Sequence, residues 1–208
     1  MRFKALAGLC RREGCYFLYD RINEDGEVIG QWLGVAGAVF PIHGLPRLNE
    51  ENMIPLFDIT TKQLETVIIK HSELPEGLNF EDTDTAEVLL DREKITLAYG
   101  KRIVRPLMTQ DGLEFINNDF LTPLADVADD LELYERRRAD GGAYFAAKMG
   151  LMVVGIIMPL AIIEEELVED METLAEKARA AYRAKKDRED LKNGLAGQMT
   201  IDEGSGTE

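Results

Sequence analysis

Residues 48–59 read LNEENMIPLFDI and residues 116–127 read INNDFLTPLADV. The two stretches align without gaps, and upstream Gly44-Leu45 falls on Gly112-Leu113. Asn49 matches Asn117, Pro55 matches Pro123, Leu56 matches Leu124 and Asp58 matches Asp126. An asparagine followed by acidic residues is a helix start, because its side chain accepts the first free N–H groups and the dipole favours negative charge there. A proline late in a helix removes a donor, so each helix is expected to kink or restart at the proline. A repeat of this kind implies a duplicated supersecondary unit.

Outward from these helices the chain reads as strands. A short helix over residues 4–12 carries Ala5, Leu6, Leu9 and Cys10. Cys15 to Asp20 is a strand, Asn23-Glu24-Asp25-Gly26 a turn, and Val28 to Leu33 and Ala38 to Ile42 are two further strands. Leu64 to Ile69 is expected as a strand, followed by an acidic connection from Ser72 to Asp84. The second unit repeats the order: strands at Ile95 to Tyr99, Ile103 to Met108 and Leu113 to Ile116, then the helix. Strands at Leu131 to Arg136, Ala143 to Lys148 and Leu151 to Met158 close it. From Pro159 the apolar residues Leu160, Ile163, Leu167, Met171, Leu174, Ala178 and Tyr182 recur every three or four positions. That spacing predicts a long amphipathic helix that covers the protein's own sheet, with pairing to a copy of itself as the alternative.

The expected fold class is α+β: internally duplicated, with a mainly antiparallel sheet, short helices and one long C-terminal helix. The expected organisation is residues 1–91 as a first repeat unit with an N-terminal helix and 92–159 as a second. Residues 160–186 form the long helix, and 187–208, polar and Gly-rich at the end, a disordered tail.

The chain of 208 residues carries a net charge of −15. Such a charge opposes adhesion to phosphate backbones and anionic lipid, so direct DNA binding and membrane contact are not expected. Residues 50–91 hold 11 acidic and 2 basic groups. A second acidic block, Glu164 to Glu176, suits the start of a helix, and Arg179, Arg183, Lys185 and Lys186 suit its end. The residues expected to meet a partner are Glu73, Glu76, Glu81, Asp82, Asp84, Glu164, Glu165 and Glu169.

No motif for chemistry emerges. Cys10 and Cys15 lack Cys-x-x-Cys spacing, and Lys4, Arg11 and Arg12 interrupt any apolar leader, so reduced thiols and a cytoplasmic setting are expected. His43 and His71 have no spacing that builds a zinc site with the cysteines. A loop from Asp82 puts Glu87 where a calcium hand needs glycine. No catalytic residue, metal or cofactor is expected. Arg136-Arg137-Arg138 reads as a wet strand end.

Phe115-Ile116-Asn117 running into the helix Phe120 to Val127, with strands ending at Ile156-Ile157-Met158-Pro159, resembles a subdomain of DNA sliding clamps. The resemblance covers residues 15–159 and implies repeated strand–helix–strand units and a ring. Clamp helices that line DNA are basic; here no Lys or Arg lies between Asn49 and Ile59 or between Asn117 and Val127. The chain also has the flavour of phage or mobile-element accessory proteins. The function expected is that of a non-enzymatic acidic interaction protein, a DNA-mimic inhibitor of the anti-defence or anti-CRISPR type. Its partner would be a basic or nucleic-acid-binding protein, and a homodimer is compatible with the sequence. A clamp-like processivity or scaffold module and an enzyme of unrecognised type are the alternatives.

Overall fold

A computed structural model describes residues 2–91 and 95–202, with side chains as far as Leu191. The chain forms two compact units, residues 1–161 and 162–208.

The first unit is built on an eight-stranded sheet. Its strands are β1 (Cys15–Ile22), β2 (Val28–Val35), β3 (Ala38–Ile42), β4 (Ile68–Glu73), β5 (Val88–Leu89), β9 (Leu131–Arg137), β10 (Ala143–Met149) and β11 (Met152–Ile157), in the order β4-β1-β2-β3-β11-β10-β9-β5. All neighbours are antiparallel except β4, which runs parallel to β1. A second sheet contains β6 (Leu97–Tyr99), β7 (Arg102–Thr109) and β8 (Gly112–Asn117). The short helices are α1 (Phe3–Glu13), α2 (Glu50–Leu56), α3 (Thr61–Leu64) and a 3-10 helix, Asn118–Leu124. The class is therefore α+β with a mainly antiparallel sheet, as expected from the sequence.

The repeated stretches fold alike at their starts. Asn49 accepts from the Asn52 N–H in a reciprocal capping box, and Asn117 accepts from the Asp119 N–H. Each helix follows a three-stranded meander and keeps its proline inside. The strands that come next differ: β4 crosses over to lie parallel to β1, whereas β9 pairs antiparallel with β5 and β10. The boundary drawn at residue 91 does not separate two bodies, because β3 of the first stretch pairs with β11 of the second (Val39 with Ile156). Residues 64–67 are not strand. Thr60 and Gln63 form a second capping box there and start α3, so β4 begins at Ile68.

The main core contains Leu6, Leu9 and Cys10 of α1, Leu33 and Phe40 of the sheet, Phe57 after α2, and Leu124 of the 3-10 helix. α1 ends at Gly14, whose φ of 66° lets its N–H bond to the Cys10 carbonyl. At the β2–β3 hairpin a Cβ on Gly34 would collide with the Ala38 carbonyl oxygen, so only glycine permits that approach. A second apolar cluster holds Trp32, Val39, Phe80, Tyr144, Ala146 and Ile156, with Phe80 supplied by the chain between β4 and β5.

The long helix of the second unit, α4 (Glu165–Asp202), begins five residues later than expected and continues past 186. Leu160, expected in its first turn, forms an isolated antiparallel bridge with Phe115 instead. Leu174 and Tyr182 are 63% and 70% exposed. The tail expected to be disordered from 187 is helical to Asp202; residues 203–208 lie outside the described residues. No helix among the described residues is long and apolar enough to cross a membrane.

Candidate interaction surface

The segment between β4 and β5 carries four of the eight acidic residues expected to meet a partner, and a fifth, Glu73, ends β4. The segment is fastened to the sheet at several points. The Phe80 ring stands edge-on to Trp32 with centroids 5.0 Å apart. The Asn79 N–H donates to the Tyr144 hydroxyl at 2.8 Å. Arg136 donates through Nη1 to the carbonyls of Asn79 and Glu81, both at 2.9 Å, and its Nε and Nη2 reach Glu87 Oε2 at 2.9 and 2.6 Å. Lys148 Nζ donates to Glu87 Oε1 at 2.6 Å and lies 4.7 Å from the Tyr134 ring centroid.

Arg136 corrects the reading of 136–138 as a wet strand end: its side chain is fully buried. A buried guanidinium must have its donors satisfied, and Glu87 with two backbone carbonyls does so. The missing signal was Glu87, which lies far away in the sequence. Arg137 does reach the rim, where it pairs with Asp111 and Glu135.

The expected partner residues fall into distinct states. Glu73 and Glu76 are exposed. Glu81 is exposed but already holds Arg21 at 2.5 and 2.6 Å. Asp82 is exposed, and its Oδ1 accepts the Val153 N–H at 2.8 Å. Asp84 is half-buried; it accepts from the Ala86 N–H at 2.9 Å and from Asn79 Nδ2 at 3.0 Å. The Ala86 N–H, the Asn79 amide and the positive charges of Arg136 and Lys148 outweigh burial and hold the Asp84 carboxyl below the usual range. Three of the four acids in this segment, Glu81, Asp82 and Asp84, are thus tied to the molecule's own donors. Glu164, Glu165 and Glu169 belong to the other compact unit and are all exposed.

Beside this segment lies an open groove of about 320 Å³, lined by Asp20, Arg21, Glu73, Leu74, Leu78 and Glu81 among others. Asp20 anchors a second polar cluster. Its Oδ1 accepts from Gln31 Nε2 at 2.7 Å, and its Oδ2 lies 3.0 Å from His71 Nε2 and 3.3 Å from Arg47 Nη2. Gln31 in turn clamps the Leu48 backbone through both N–H and C=O, fixing the approach to α2. Burial raises the Asp20 pKa, but the bonds from Gln31, His71 and Arg47 outweigh it and the net shift is downward.

The thiols are not placed as nucleophiles. Cys10 is fully buried, donates to the Gly34 carbonyl at 3.6 Å, and burial pushes its pKa up to about 12. Cys15 is buried, and burial is again the main cause of its raised pKa. A thiol held neutral is a poor nucleophile. His43 is exposed beyond the end of β3, and His71 is engaged with Asp20. Among the described residues no three or more His, Cys, Asp or Glu side chains converge as metal ligands would. No protein-family model matches the chain, and comparison with curated proteins and solved structures finds no match either.

Proposed function

We propose that the protein is a non-enzymatic binding protein whose acidic segment 73–84 occupies a basic site on a nucleic-acid-handling protein, in the manner of a DNA mimic from a phage or mobile element. The observation that carries this reading is pre-organisation. The segment is held by Phe80, Tyr144 and Arg136, while Glu73, Glu76, Glu81 and Asp82 stay exposed. A fixed set of carboxylates loses little conformational freedom on binding, and complementary potentials raise the association rate. The arginine at Glu81 and the backbone bond at Asp82 fix where those charges sit. A cytoplasmic setting fits two unpaired, buried cysteines.

The test is capture from a lysate at low and high salt, followed by competition. The captured protein binds nucleic acid, duplex DNA displaces it, and its retention falls with salt. Reversal of Glu73, Glu76, Glu81 and Asp82 to lysine abolishes capture; retention by that variant refutes the reading. Reversal of Glu164, Glu165 and Glu169 in a separate variant reports on the other unit.

A clamp-like scaffold is the second reading, favoured by the recurrence of a meander followed by an Asn-capped short helix. It requires a closed ring in solution and retention on circular DNA. A mass measurement by light scattering together with a DNA-retention assay separates it from the first.

A further inference from the structure

The charges of α4 are arranged in two blocks that its own dipole does not explain. Glu164, Glu165, Glu166, Glu169, Asp170, Glu172 and Glu176 precede Lys177, with no Lys or Arg among residues 164–176. Lys177, Arg179, Arg183, Lys185 and Lys186 then follow, with no Asp or Glu among residues 177–186. The dipole acts within the first and last turns of a helix. It accounts for Glu165 and Glu166, but Glu169 to Glu176 lie beyond the first turn. The basic block lies mid-helix, because α4 continues to Asp202.

Within one helix this arrangement is unfavourable. Side chains four apart are neighbours, and here they pair like with like: Glu165 with Glu169, Glu166 with Asp170, Glu172 with Glu176, and Arg179 with Arg183. Each such pair is destabilising. The apolar residues beside them are exposed as well: Val168, Leu174 and Tyr182 at 43%, 63% and 70%. The basic residues have acids of their own helix four positions on, Asp187 for Arg183, Glu189 for Lys185 (3.8 Å apart) and Asp190 for Lys186, whereas none of the acids from Glu164 to Glu172 has a Lys or Arg three or four positions on.

We infer that α4 pairs antiparallel with α4 of a second copy of this chain. An antiparallel pair centred at Glu176 sets Glu164 against Arg188, Glu166 against Lys186 and Glu169 against Arg183, with Glu165 facing Asp187 and the two Glu176 residues facing each other. It brings Leu174 opposite Ala178 and Met171 opposite Ala181. A parallel pair would stack acid on acid and base on base, so the charge pattern selects the antiparallel arrangement. The partner is a second copy because both complementary blocks belong to one helix. The inference rests on α4 alone and not on segment 73–84.

The test uses the full chain. Light scattering gives a dimer at low salt that weakens as salt rises. Glu169→Lys with Glu172→Lys weakens association by about tenfold or more, and Arg179→Glu with Arg183→Glu does the same, since several exposed pairs of about 0.2–1 kcal/mol each are lost. An equimolar mixture of these two variants dimerises again, because each restores the other's complement. Met171→Cys and Ala181→Cys chains cross-link to each other on oxidation, and Met171→Cys does not cross-link to itself. Far-UV circular dichroism verifies that each variant stays helical. A monomeric wild type, a dimer indifferent to these changes, a mixture that stays monomeric, or self-cross-linking of Met171→Cys overturns the inference. So does loss of a captured basic protein on α4 reversal while the chain itself stays a monomer. None of these outcomes depends on Glu73, Glu76, Glu81 or Asp82, so the proposed function stands or falls separately.

Discussion

Glu87 bridges two buried cations: its Oε2 lies 2.6 Å from Arg136 Nη2 and its Oε1 lies 2.6 Å from Lys148 Nζ. One carboxylate thus joins β9 to β10 from the covering segment, and Asp84 lies close enough for both cations to lower its pKa. Glu87→Ala leaves a fully buried guanidinium without its charge partner. The expected cost is about 3–5 kcal/mol, read as a drop in the urea midpoint. Replacing Arg136 by Met together with Glu87 by Leu is expected to cost less than Glu87→Ala alone. A double variant as unstable as the single would show that the carbonyl contacts of Arg136, not its charge pairing, dominate.

Phe80 is the apolar pin of the acidic segment. Phe80→Ala is expected to cost about 3–5 kcal/mol if the whole ring contact is lost. Trp32, the single tryptophan, is its neighbour and serves as the reporter. Its emission shifts to the red in the variant, and amides 79–82 lose protection from hydrogen exchange. Unchanged emission would show that the segment stays down without Phe80.

Asp20 and Asp84, the partly buried carboxylates among those with lowered pKa values, contribute to the acid limb of stability. Asp20 and Asp84 are both held below the ordinary carboxylate range in the folded chain. A lowered folded pKa contributes stability above the unfolded value, near about 3.9, and that contribution is lost as pH falls through the folded value. Melting temperature is therefore expected to stay level from neutral pH to about 5 and to fall below about 4. Asp20→Asn and Asp84→Asn each start lower and flatten the acid slope. A variant with the wild-type slope would exclude its residue as a contributor.

Thiol reactivity checks the core at α1. Cys10 and Cys15 are both buried, and a Cys10 pKa of about 12 leaves almost no thiolate at neutral pH. Both are expected to react with a thiol reagent orders of magnitude more slowly in the folded chain than in urea. A fast-reacting cysteine in the native protein would contradict the packing of α1 on β2.

The elements that were legible in the sequence are those with local causes. β3 has its expected bounds because Ala38 to Ile42 is a short apolar run between turn signals. The Asn49 cap works as read, since a cap depends only on the next three residues, and Asn117, its match in the repeat, also caps its helix. Nonlocal features were not legible. The parallel seat of β4 depends on a crossover, and β5 is two residues long with no pattern of its own. Arg136 looked ordinary because its partner lies on another segment. Of the acidic residues chosen from charge density alone, Glu73 and Glu76 are exposed, whereas Glu81, Asp82 and Asp84 also hold the segment in place. Charge density reports where carboxylates are; it carries no information about which backbone N–H or arginine folds back onto them.

The pairing of Val39 with Ile156 sets the timing of assembly. A nascent chain still lacking β11 leaves the ribosome with the outer edge of β3 unpaired and Phe40 uncovered on one side. The large sheet closes only after nearly all of the first unit has been synthesised. Such late zippering makes folding slow relative to a chain of local hairpins, and it leaves an apolar strand edge open until the last strands arrive.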